Sequence, residues 1–97
     1  QLIPVEAIDW IGNRRNYAVL HVEGRRHLVR STLARLESRL DPQQFVRVHR
    51  SMIVNAARIR TVQPLEDGNF AIVLEDGTDL RSSRAYRQRV AELIRAR

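Results

Sequence analysis

One stretch constrains the fold of this chain more than any other: Phe45-Val46-Arg47-Val48-His49-Arg50-Ser51-Met52-Ile53-Val54-Asn55. Apolar side chains alternate with Arg47, His49 and Arg50, and a short apolar run then ends at an Asn. A period of two is the mark of a half-buried strand, and the apolar run suits a second, more buried segment. The two segments therefore turn on each other with the cationic groups at their junction. On a regular strand Val46, Val48 and Arg50 share one side, so Arg50 emerges where the buried face ends.

Gly and Pro punctuate the rest. Glu6 to Gly12 reads as a short strand through Ile8, Trp10 and Ile11, followed by a polar, basic loop, Asn13-Arg14-Arg15-Asn16. Tyr17 to Val22 alternates as a strand, Glu23-Gly24 signals a turn, and Arg26 to Arg30 returns as the hairpin partner. Ser31 or Thr32 can cap a short helix with Leu33, Leu36 and Leu40 on one face and Arg35 and Arg39 outside it, stopped by Asp41-Pro42. Arg58 to Val62 is a strand with Pro64 near its end. Asp67-Gly68 and Asp76-Gly77 bracket another, with Phe70, Ile72 and Leu74 on one face. Thr78 to Ser82 adds a short strand, and Ser82 or Ser83 caps a C-terminal helix striped by Tyr86, Val90, Leu93 and Ile94. At 97 residues and 43% hydrophobic content, one compact domain over 1–97 with a single adequate core is expected.

Composition narrows the chemistry. The absence of cysteine excludes a disulfide scaffold, a thiolate metal site and a cysteine nucleophile. No apolar run is long enough to span a membrane, and no signal peptide is visible. Residue 1 is Gln, so a fragment of a longer protein is expected. The formal charge is +6, and all 17 basic residues are Arg. Arg offers a planar, bidentate donor fork suited to phosphate oxygens and guanine edges. Charge alone nevertheless fits nucleic acid, an anionic membrane surface or an acidic protein.

The Phe45–Asn55 stretch also resembles the F-x-R-x-H-R-S-x-x-V-N signature of the LytTR (LytR/AlgR-type) family. These are bacterial DNA-binding domains at the output end of response regulators or membrane-bound sensors. Further family-like features follow in order along nearly the whole chain: the opening segment Val5 to Trp10, Asn16-Tyr17, Thr32-Leu33 through Leu36, and Ser83-Arg84-Ala85-Tyr86. The resemblance implies a mainly β fold of small antiparallel sheets packed side by side, with a short middle helix and a C-terminal helix. It implies sequence-specific binding of double-stranded DNA in transcription regulation, through loops rather than a recognition helix. Paired direct repeats, bent DNA and a second copy of the domain on the same face of the duplex belong to that expectation. So do an N-terminal receiver or membrane sensor outside this chain, a cytoplasmic location for the domain, and no cofactor or small-molecule substrate.

Three places put Arg or amide side chains on loops or element ends: Asn13 to Asn16, Arg50-Ser51, and Ser82 to Arg84. By resemblance they lie along one edge and reach consecutive grooves, where phosphate contacts set position and base contacts carry sequence. Arg84 is the first choice for a guanine, since a cation in the first turn of the last helix opposes the helix dipole and gains nothing locally. Asn16 is the second base-reading candidate, against the competing role of a turn former. Arg14, Arg15, Arg50, Ser51 and Ser83 are assigned to the DNA backbone, a solvated loop being the alternative for the first two. Arg47 either pairs with a carboxylate across the sheet or touches phosphate. His49 and Asn55 are assigned to structure, Asn55 as a tie to backbone at a turn.

Two rivals remain. A protein-interaction module would use the same Arg surface to dock an acidic partner. A nuclease would need a metal site, but His21, His27 and His49 are dispersed, and Glu75, Asp76 and Asp79 read as turn and surface groups. No glycine-rich phosphate loop or nucleophile elbow occurs. An enzyme is therefore not expected.

Overall fold

The computed structural model describes residues 2–96. Among them the order is β1 (Trp10–Arg14), β2 (Tyr17–Val22), β3 (Arg25–Val29), α1 (Leu33–Arg39), β4 (Phe45–His49), β5 (Met52–Asn55), β6 (Ile59–Pro64), β7 (Phe70–Leu74), β8 (Asp79–Arg81) and α2 (Arg87–Ala96). Short 3-10 turns occupy Val5–Ala7, Ala56–Arg58 and Arg84–Tyr86. A five-stranded antiparallel sheet has the order β3-β2-β1-β5-β4, and a three-stranded antiparallel sheet has the order β6-β7-β8. The mainly β reading with a middle and a C-terminal helix therefore holds.

Alternation sends each strand's side chains to two faces, and here both faces of the large sheet are used. One packs Ile11, Ala18, Leu20, Phe45 and Ile53 against Leu33 and the partly buried Leu36 of α1 and Leu40 just past its end. The other gathers Val48 and Val54 with Ile59, Ile72, Leu74 and Leu80 of the small sheet and Val90 and Leu93 of α2. The single core expected from composition is thus two clusters separated by the sheet, because β5 supplies Ile53 to one side and Val54 to the other. Asn55 stands at the seam, wholly buried. Its amide donates to the Ile8 carbonyl at 2.8 Å and its oxygen accepts from the Ala57 N–H at 3.0 Å, which is the structural role assigned to it.

Several local expectations shift. Glu6 to Gly12 is not one strand: a 3-10 turn follows Pro4, with the Ala7 N–H on the Pro4 carbonyl, and β1 begins at Trp10. The four-residue loop Asn13–Asn16 contracts to the two residues Arg15-Asn16, because β1 continues until Arg14 pairs with Tyr17. β4 is not regular either. One extra residue is inserted between Arg47 and His49, yet Val46 and Val48 still pack on one side, in the second cluster. Thr32 caps α1, accepting from the Arg35 N–H. Neither Ser82 nor Ser83 caps α2: Ser82 is buried with its hydroxyl on the Phe70 N–H, and Ser83 leads into the 3-10 turn without a side-chain cap. Ile94 lies on the exposed side of α2, outside the stripe formed by Val90 and Leu93.

Candidate nucleic-acid interface

Strand pairing brings the cationic loops to one end of the large sheet. Trp10 and Ile11 of β1 face Val54 and Ile53 of β5, so the end of β1 lies beside the start of β5. The Arg15-Asn16 turn and the Arg50-Ser51 turn are therefore neighbours, although 34 or more residues separate them in sequence. β3 runs antiparallel to β2, with Val29 opposite Ala18, so Arg30 and Ser31 leave the sheet at the same end. Thr32 starts α1 there, which places Arg35 in its first turn.

These pieces enclose a groove of about 740 Å³ lined by Asn13, Arg15, Asn16, Arg30, Arg35, Arg47 and Arg50 among others, with no carboxylate in its wall. Arg15, Arg30, Arg35 and Arg50 are exposed and make no ion pair with any described residue. Like charges gathered this way repel one another, and the field between low-dielectric walls concentrates an anion. Arg15 adds a backbone cost, since a non-glycine residue at φ 56° sits in the left-handed region.

Arg47 differs from its neighbours. Its side chain is only 12% exposed, and Nη1 donates to Glu37 Oε1 of α1 at 2.9 Å. Nε donates to the His49 carbonyl at 2.9 Å, and Nη2 donates to the Arg50 carbonyl. Of the two roles left open for Arg47, it takes the pairing with a carboxylate, though on a helix rather than across the sheet. The other carboxylate oxygen of Glu37 accepts from Arg89 of α2 at 2.6 Å, and both guanidiniums lie over the Tyr86 ring, at 5.8 and 5.4 Å from its centroid. Partial burial pushes the Glu37 carboxyl up, but hydrogen bonds from Arg89 and Arg47, reinforced by their charges, outweigh it and hold the group below its ordinary value.

His49 locks the β4–β5 turn from the other side. Its Nδ1 accepts from the Ser51 N–H at 3.1 Å and meets the Ser51 hydroxyl at 2.8 Å. The N–H can only donate, so Nδ1 is unprotonated and the hydroxyl proton is also directed to it. A phosphate contact through a Ser51 proton would require that bond to open.

The remaining assigned residues divide. Arg84 is exposed and lies in the 3-10 turn ahead of α2, not in the helix itself, so the dipole argument does not apply to it. It applies instead to Arg35, in the first turn of a helix that has no acidic residue there. Ser83 connects the Arg84 segment to the large sheet, its N–H donating to the Val48 carbonyl at 3.0 Å, two residues before Arg50. The Arg84 side chain runs across Gly68: a Cβ at that glycine would come within 3.4 Å of Nε, and its φ of +87° already favours glycine. Arg14 and Arg15 part company. Arg14, still in β1, faces the opposite side of the sheet with Trp10, Gly12, Val19, His21, Arg26, Ser51 and Met52, around a groove of about 290 Å³. Trp10 stacks on His21 there at 3.8 Å, a packed rim pair rather than a free platform.

Arg30 and Arg35 were absent from the candidates drawn from sequence. The pattern held a signal for them, since a hairpin strand ending at Arg30 and a cap at Thr32 fix where Arg35 must lie. What was missing was the pairing of β1 with β5, which is not local.

The family model described as LytTr DNA-binding domain matches residues 1–95. The chain belongs to the LytTr DNA-binding domain family. It is 26% identical over 93 residues to the sensory transduction protein LytT of Bacillus subtilis, a match covering 96% of this chain and 39% of that protein. It is 29% identical over 85 residues to the transcriptional regulatory protein LytR of Staphylococcus aureus, covering 88% of this chain and 35% of the relative. The LytTr chain thus spans less than two fifths of the length of these relatives. The fold matches a solved LytTr DNA-binding domain of a putative methyl-accepting/DNA response regulator from Bacillus cereus. The TM-score is 0.88 at 22% identity, over 95% of this chain and 84% of that one. Two sheets, a short helix and a C-terminal helix are therefore the family fold. No helix among the described residues is long and apolar enough to cross a membrane.

Proposed function

We propose that this LytTr domain binds specific sites in double-stranded DNA as the output domain of a bacterial transcription regulator, controlled by a receiver or a membrane sensor on a longer chain. The observation that carries the reading is the groove that holds Asn16 beside Arg15, Arg30, Arg35 and Arg50, which make no ion pair among the described residues. A carboxylate-free cationic groove attracts phosphate, and an amide at its lip supplies a donor and an acceptor for a base edge. Asn16 and Arg84 read bases. Arg50 and Arg15, with Arg30 and Arg35 as further members, hold the backbone. Arg14 and Ser51 reach it from the opposite face of the sheet, and Ser83 contributes from the segment that carries Arg84. The molecule measures 40 × 23 × 21 Å, and its long dimension exceeds the roughly 34 Å of one helical turn, long enough to span neighbouring major grooves; two copies would then occupy paired direct repeats. Bending of the DNA would bring Arg84 and Asn16 into neighbouring major grooves.

Selection of bound duplexes from a random library, followed by salt titration of the winners, tests this. A DNA reader returns a repeated element whose log affinity falls with log salt by roughly 0.9 per phosphate neutralised. A pool that stays random, with a surface that captures acidic protein instead, would favour the docking-module reading.

A further inference from the structure

We propose that Glu37, which touches no loop of the DNA-binding groove through its own oxygens, is a positioning residue that sets the spacing between Arg50 and Arg84. The inference rests on the DNA-binding reading above and concerns how its specificity is maintained.

Three elements meet at this one carboxylate. Oε1 takes Arg47, whose Nε and Nη2 hold the carbonyls of His49 and Arg50. The backbone that carries the Arg50 side chain is therefore tied, through one guanidinium, to α1. Oε2 takes Arg89 of α2, and Tyr86, whose ring both guanidiniums approach, is the last residue of the 3-10 turn that begins at Arg84. Helix α1 itself carries Arg35 into the groove. Glu37 thus joins the phosphate-holding turn, the groove wall and the Arg84 segment, which also meet through the Ser83–Val48 backbone hydrogen bond and the packing of Val48 with Val90 and Leu93 of α2.

The Arg89–Glu37 pair is half-exposed and contributes little to global stability, so stability alone is a poor account of that second arm. Recognition, by contrast, is sensitive to small displacements of the reading groups, because base contacts are directional while phosphate attraction is not. A brace that holds three segments in register lowers the ordering cost of specific binding and leaves nonspecific binding almost untouched.

The opposite signs of charge and position supply the test. Glu37→Gln removes a negative charge beside a cationic surface, so an electrostatic bystander role predicts tighter binding to every duplex. Glu92→Gln is the control: it removes the same charge from the α1–α2 groove that Glu37 lines, at a carboxylate without an ion pair among the described residues. The full chain is titrated against a duplex selected from a random library by the wild-type protein and against a scrambled duplex of equal length and composition. The expected result for Glu37→Gln is a fall of fivefold or more in the ratio of the two affinities, with the scrambled duplex bound as tightly as by Glu92→Gln. A loss of folded protein lowers both affinities alike and cancels in the ratio, so general destabilisation cannot imitate it. Should Glu37→Gln not fold, Arg89→Met, which cuts only the α2 arm at a half-exposed position, gives the same reading. A ratio that falls by less than fivefold overturns the proposal. Equal binding of both duplexes by the wild-type protein instead overturns the DNA-reading function and this inference with it.

Discussion

The two ends of the five-stranded sheet are built from the same strands and differ in almost everything else. At one end lie the Arg15-Asn16 and Arg50-Ser51 turns and the exit of β3 at Arg30, with cations that make no ion pair among the described residues. At the other lies the Glu23-Gly24 turn, where both residues take positive φ, 50° and 77°, in the manner of a two-residue primed hairpin. A carboxylate stands at this end: Asp9 Oδ2 accepts from the Glu23 N–H at 3.3 Å and Asp9 Oδ1 lies 3.6 Å from Arg58, although Arg25 and Arg26 are exposed there without an ion pair among the described residues. The groove at the opposite end gathers cations with no carboxylate in its wall, and that imbalance marks the end at which a polyanion would be received.

The contrast can be broken most severely at Arg84. Arg84→Ala is expected to lose about 1–3 kcal/mol of discrimination between a selected site and a scrambled duplex, with little change in nonspecific affinity. Equal weakening on both duplexes would move Arg84 to the backbone contacts. Arg50→Ala should do the reverse, lowering affinity for all sequences and making the salt slope shallower by about one unit. An unchanged slope in titrations would remove Arg50 from the phosphate-holding set.

Matched substitutions at the two hairpin turns sharpen the comparison. Glycine relieves the left-handed backbone at either place, so Arg15→Gly and Glu23→Gly should each raise stability by about 0.5–1 kcal/mol in denaturant unfolding. Only Arg15→Gly should also weaken DNA binding. If both weaken it equally, the cationic end has no special standing.

The smallest expected effect concerns His21, on the face that carries Arg14. Burial and the nearby Arg26 lower its pKa from 6.5, against opposing pulls from Asp9 and Asp76. The unfolded chain then binds the proton more readily than the folded one. His21 therefore leaves stability intact above pH 6.5 and erodes it as the pH falls below that value, until the folded form also protonates. Unfolding midpoints compared at about pH 7.5 and about pH 5.5 should show the loss, and His21→Gln should shrink it. A pH dependence unaltered by that substitution would assign the loss elsewhere. Glu37 and Asp76, whose pKa values lie below 4.5 and 3.8, lose their contributions only at lower pH.

Much of the fold was legible because period and turn chemistry are local. Tyr17 to Val22 is a strand with the bounds its alternation indicated, and Phe70, Ile72 and Leu74 do share the face that packs in the second cluster. The Asn13–Asn16 loop was read too long because no glycine announces the turn; the strained Arg15 makes it instead. The candidate site was legible as three separate loops, two of which contribute to one groove while Ser83 ties the third to β4.

By itself the sequence determined the element types, the family signature and the surplus of guanidiniums, since each depends on neighbours a few residues apart. Tertiary structure alone decided that β1 pairs with β5, that Arg14 and Arg15 face opposite sides, that Arg47 is bound by Glu37 while Arg30 and Arg35 make no ion pair among the described residues, and that Val48 interrupts the register of β4. Those outcomes follow from packing two apolar faces of one sheet at the same time, which couples residues far apart in the chain. No local pattern carries that coupling.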